Sequence, residues 1–101
     1  MFFSEKEQRI MEPLFEMVNN SSTKNYKITL EDETVLHAIF DTCYESDNGL
    51  EEGEEGYEEF FACLFLIQEV AFVKEEYKGV YRENEFLEIT HHNYPKEITP
   101  I

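Results

Sequence analysis

Basic side chains are scarce in this chain: Lys and Arg together number 8 against 23 Asp and Glu, a formal net charge of −15. Phosphate backbones and anionic lipid surfaces are held through clustered Lys and Arg, so the expectation is no direct nucleic-acid binding and no membrane attachment. Cysteine is nearly absent as well, with only Cys43 and Cys63. Two thiols fit reduced, buried side chains better than a disulfide scaffold, and without a C-x-x-C pair there is no metal knuckle. No apolar run reaches the length of a membrane span, and "MFFSEKEQRI" lacks the basic start and apolar stretch of a signal peptide, so the expected location is cytoplasmic. Also missing are G-x-S-x-G, H-E-x-x-H, a phosphate loop and a dinucleotide fingerprint. The sequence therefore predicts neither an enzyme nor a cofactor.

What is present is enough apolar material to fold: 42% of residues are hydrophobic and 15% aromatic in 101 residues. That length predicts one domain, 1–101, around one modest core. Residues 1–20 form the helical segment. Ser4 followed by Glu7 has the capping-box spacing, and Ile10, Met11, Leu14, Phe15, Met17 and Val18 recur three and four apart. Pro13 removes one amide donor inside this stripe and predicts a kink near residues 9–12 or a fresh helical turn.

From Tyr26 the period changes to two. "YKITL" reads as a half-buried strand, "EDE" at 31–33 as a hairpin turn, and "TVLHAIFDTCY" as a second strand whose core face carries Leu36, Ala38, Phe40, Thr42 and Tyr44. "FFACLFLI" is apolar on both faces and marks a central strand. Residues 71–85 read as irregular or short strand, "EFLEIT" as a last strand, and 95–101 as a tail, its two prolines barring it from the middle of a sheet. The fold class is α+β: an N-terminal helix, then a strongly curved antiparallel sheet of four to five strands across 26–94. This order of elements resembles that of the small Sm-like and SH3-like barrels, which implies a partial barrel and, as a likeness of order alone, carries no function.

Three groups of residues are candidates for chemistry. The first is "ESDNGLEEGEEGYEE", residues 45–59, with eight carboxylates and no basic side chain, directly before the most apolar strand. As an EF-hand it fails in every frame: Gly49 at the sixth position puts Tyr44 first, Gly53 puts Leu50 third, and Gly56 puts Ala62 twelfth. A looser Ca²⁺ site is the alternative reading. The solvated-loop reading has a physical basis, because flanking charges keep an apolar strand from stacking on another copy. The functional reading is a surface offered to Lys and Arg of a partner through Glu51, Glu52, Glu54, Glu55, Tyr57 and Glu58.

The second group is His37, Asp41 and Cys43, which strict alternation places on one face of one strand. Same-face neighbours there sit roughly 7 Å apart, too far for a relay, so no catalytic residue is assigned. The third is His91 and His92, which point to opposite faces if the last strand continues and so make no metal site with each other. The sequence thus predicts an acidic, non-enzymatic protein-binding or assembly module, an inhibitor or immunity-type factor, whose partner is a basic protein or a second copy. A homo-oligomer would cover the two-faced apolar strand.

Overall fold

The computed structural model describes residues 2–101. Helix α1 (Glu5–Asn20) begins where the Ser4 and Glu7 spacing predicts, the Glu7 amide donating to Ser4 Oγ at 3.1 Å. The reciprocal half of the cap is displaced by one residue, since the Glu7 carboxylate takes the Phe3 amide at 2.7 Å. The helix runs through Pro13 as one element rather than restarting there. Pro13 and Arg9 are both exposed, so water can serve the Arg9 carbonyl that loses its amide partner.

Strands β1 (Asn25–Thr29) and β2 (Val35–Asp47) form the first hairpin. Its turn places Glu33 at a φ of 73°, uncommon for a side chain other than glycine, and Lys96 Nζ holds the Glu33 carboxylate at 2.8 Å. That ammonium keeps the Glu33 carboxyl below its usual range. β3 (Glu59–Phe72) returns along β2, a single 3-10 turn follows at Glu75–Tyr77, and β4 (Phe86–Ile89) and β5 (Glu97–Pro100) complete the chain.

The strands make one antiparallel sheet in the order β4-β3-β2-β1-β5. β4 and β5 stand at opposite edges, so the sheet stays open and does not close into a barrel of the SH3 or Sm kind. Residues 97–100, read from sequence as part of a tail, are the edge strand β5, paired with β1. An edge is where a strand ending in proline is tolerated, because the missing amide faces no neighbour. Among the described residues no helix is long and apolar enough to cross a membrane.

β2 and β3 depart from strict alternation, with register shifts at Val35/Leu36, His37/Ala38 and Phe40/Thr42. Curvature requires something of this kind. Such shifts bend a strand and increase its twist, and they fall along the pairing of the 13-residue β2 with the 14-residue β3. At the third shift Phe40 lies opposite Phe65 and Thr42 opposite Leu64, so Asp41 is the extra residue and the phase of β2 inverts. The core face therefore runs Leu36, Ala38, Phe40 and then Cys43, while Thr42 is exposed. The five-residue face predicted by strict alternation breaks at its centre.

That inversion sets Cys43 opposite Cys63 with Cα atoms 4.1 Å apart, and the two form a disulfide, where reduced thiols were expected. The helix lays Met11 and Leu14 on the same face, over Phe61, Phe65, Ile67, Tyr26, Ile28 and Leu36. Phe2, Phe15 and Phe61 meet edge to face with ring centroids 5.3 to 6.3 Å apart. On the other face Tyr44 reaches across β3 to hydrogen-bond Glu88 on β4, and Ala62 beneath is fully buried. Farther along that face Leu64 and Leu66 are half-buried and Phe86 is 58% exposed.

A bond closing a sequence separation of 20 should stabilise the fold by about 3 kcal/mol through the unfolded chain. Urea unfolding with and without dithiothreitol checks this: reductant should lower the midpoint of the natural protein and leave a Cys43→Ala/Cys63→Ala double variant unmoved. A midpoint indifferent to reductant in both would show the thiols unpaired.

Candidate functional site

Two groups of polar residues meet at the end of the β2–β3 hairpin. The first is the connecting loop, residues 48–58. It is tied by its own backbone: the Asn48 amide donates to the Glu58 carbonyl at 3.1 Å, Asn48 Nδ2 to the Gly56 carbonyl at 2.7 Å, and the Glu54 and Tyr57 amides close turns onto Glu51 and Glu54. Gly49, Gly53 and Gly56 all lie at positive φ, which is why this loop spends three of the chain's four glycines. With the backbone so occupied, Glu51, Glu52, Glu54 and Glu55 are left exposed at the tip.

Tyr57 and Glu58 stand apart from that tip, both half-buried at the loop's exit. The Tyr57 hydroxyl donates to Glu59 Oε1 at 3.0 Å, and that bond, with lesser contributions from burial and from the field of Glu59, Asp47 and Glu52, pushes its phenol up to about 12. Tyr44 on the sheet is pushed to about the same value, there by burial first and by its bond to Glu88 second. The six residues predicted as a contact surface thus divide into four exposed carboxylates and a two-residue base.

The second group forms around that base. The chain leaves β4 at Ile89 and turns, so His91 and His92 do not alternate across a strand as expected. The turn is fixed by Thr90 and Asn93. Asn93 Oδ1 accepts the Thr90 amide at 2.7 Å, Asn93 Nδ2 donates to the Glu88 carbonyl at 2.7 Å, and the His92 amide donates to Thr90 Oγ1 at 3.1 Å. Both imidazoles consequently lie side by side, centroids 4.0 Å apart, and both face Glu58: His92 Nε2 is 2.6 Å from its Oε1 and His91 Nε2 3.4 Å from its Oε2.

Behind His91 lies Glu7, 1% exposed, whose Oε2 accepts the Phe61 amide at 2.6 Å while Oε1 holds Phe3. His91 Nδ1 is 3.6 Å from Glu7 Oε2, and this buried nitrogen makes no hydrogen bond. The capping spacing was legible in the sequence, but not that the same carboxylate would cross to β3. His37 is placed elsewhere, beside Glu69 at 3.3 Å, and Asp41 is the bulged residue, so the same-face trio of His37, Asp41 and Cys43 is not assembled.

The sequence model of one protein family, described as the cognate immunity protein YxxD, matches residues 9–100. No curated protein and no solved structure matches significantly.

The site geometry carries two expectations. Glu7→Ala should lower stability by about 3 kcal/mol in urea unfolding, since two backbone amides lose a charged acceptor, and Glu7→Gln should cost less because one acceptor oxygen remains. In a pH titration followed by tyrosine NMR, Tyr57 should ionise near pH 12. Its neutral phenol is favoured by donation to Glu59 and a second adjacent negative charge is disfavoured, so Glu59→Gln should move that midpoint down. A Tyr57 midpoint unchanged by Glu59→Gln would contradict the assigned hydrogen bond.

Proposed function

The chain belongs to the YxxD family of cognate immunity proteins, and from that premise we propose that it neutralises a cognate toxin protein by binding it, without chemistry of its own, through the acidic tip of the β2–β3 hairpin. The observation that supports this reading is the loop itself. Its carboxylates sit on a backbone held by internal hydrogen bonds, so they form a surface of defined shape rather than a loose charged strand.

A surface of this sign favours a partner patch rich in Lys and Arg. Charges at the rim of an interface act chiefly on the rate of encounter and on its salt dependence, while packed aromatic anchors govern dissociation. Glu51, Glu52, Glu54 and Glu55 suit the first role, and Tyr57, half-buried at the loop base, suits the second. Inhibition by occupying a basic site needs no catalytic group, in keeping with the missing enzyme motifs.

The test is binding of the cognate toxin to the natural protein and to a variant with Glu51, Glu52, Glu54 and Glu55 all changed to Gln. Association should slow by about 10-fold or more at low salt, and its salt dependence should flatten, with the dissociation rate changing less. Association that is equally fast and equally salt-sensitive in the variant would move the contact surface away from the loop.

A further inference from the structure

We propose that Glu58, His91 and His92 form a binding site for one divalent transition-metal ion of the Zn²⁺ class. The site does not depend on the toxin-binding reading, and it differs from an oxygen-only Ca²⁺ loop in both place and chemistry.

Two imidazoles and one carboxylate are the ligand set that suits Zn²⁺, which takes nitrogen and oxygen at about 2.0 to 2.2 Å and accepts three protein ligands with a fourth position open. Here the three ligand atoms all lie within 4.8 Å of one another. Tetrahedral bonds of that length place ligand atoms roughly 3.4 Å apart, which His91 Nε2 and Glu58 Oε2 already match at 3.4 Å. Most of the remaining adjustment falls to His92, whose side chain is 55% exposed and so has room to turn.

The surroundings have the features of a prepared site. A ligating histidine ordinarily presents its other ring nitrogen to a carboxylate, which fixes the tautomer and strengthens the ligand. His91 is oriented in that way: Nε2 faces Glu58, and Nδ1, 8% exposed with its side chain and unpartnered, faces the Glu7 carboxylate at 3.6 Å. A shift of roughly half an ångström as His91 moved onto an ion would turn that approach into a hydrogen bond. Thr90 and Asn93 hold the turn independently of any ion, and Phe60 sets its ring edge-on to His92 at 5.8 Å. An open cleft of about 330 Å³ between the helix start and the loop exit, lined in part by Tyr57, Glu58 and His91, gives an ion a path in.

The alternative for the same three residues is a simple ion pair between His92 and Glu58 that holds no metal. Titrating Zn²⁺ into the full-length protein against a chromogenic chelator separates the two. The proposal expects one equivalent bound per chain, a rise in thermal midpoint, and affinity about 10-fold or more weaker in His92→Ala and in Glu58→Gln. Neither variant removes a fully buried group, so both should stay folded, and their metal-free thermal midpoints verify it. The visible spectrum of the Co²⁺ form should be that of a four-coordinate site and should be lost in His92→Ala. No stoichiometric binding, or binding that His92→Ala and Glu58→Gln leave unchanged, would overturn the assignment, the second result placing the ion on the exposed carboxylates instead.

Discussion

The Glu7 carboxylate ties the start of the helix to strand β3 of the sheet. A carboxylate at 1% exposure is expensive to bury unless its oxygens are occupied, and here each takes a backbone amide, Phe3 on one side and Phe61 on the other. One side chain thereby caps the helix and fastens it to the central strand. The aromatic cluster of Phe2, Phe15 and Phe61 packs around that fastening, so the apolar contact and the polar one fix the same distance from two directions. Because Phe61 lies just inside β3, the fastening also sets where the hairpin loop emerges and where the turn after β4 can settle against it.

The elements legible in the sequence were those governed by local rules. The capping spacing, the 3.6 period of α1, the EDE turn and the apolar centre of β3 are each decided by neighbours along the chain, and the α+β class with its antiparallel sheet follows from them, though not that the sheet stays open. What escaped was governed by pairing. Nothing local marks Asp41 as an extra residue, yet that one bulge moves Cys43 onto the core face and opposite Cys63. Likewise, "THHN" reads as a continuing strand until Asn93 folds back on Thr90, and only then do the histidines converge. The one available signal was Thr followed three residues later by Asn, a turn-forming pair. Glu7 shows both sides: its cap could be read, its bond to a residue 54 positions away could not.

Membership of an immunity-protein family gives the acidic loop a context that charge alone did not. Carboxylates beside an apolar strand repel a second copy of that strand, and under the proposed function the same charge would draw in a partner of opposite sign. The loop's backbone shape and its charge come from different residues. Gly49, Gly53, Gly56 and Asn48 shape the backbone, while the glutamates at the tip contribute no hydrogen bond from their side chains among the described residues. Tip residues can therefore be exchanged without removing the hydrogen bonds of the frame that holds them.

The covalent rung beneath the loop has a consequence of another kind. Cys43 and Cys63 enclose the whole exposed segment, including its glycines, in a ring that begins and ends in the sheet. Exposed loop tips are common sites of proteolytic nicking, and a cut in this one would ordinarily let β2 and β3 drift apart. Here the two pieces would stay tethered at the base of the nick, each still paired along the rest of the hairpin. A nick in the loop is thus one that the disulfide lets the fold outlast.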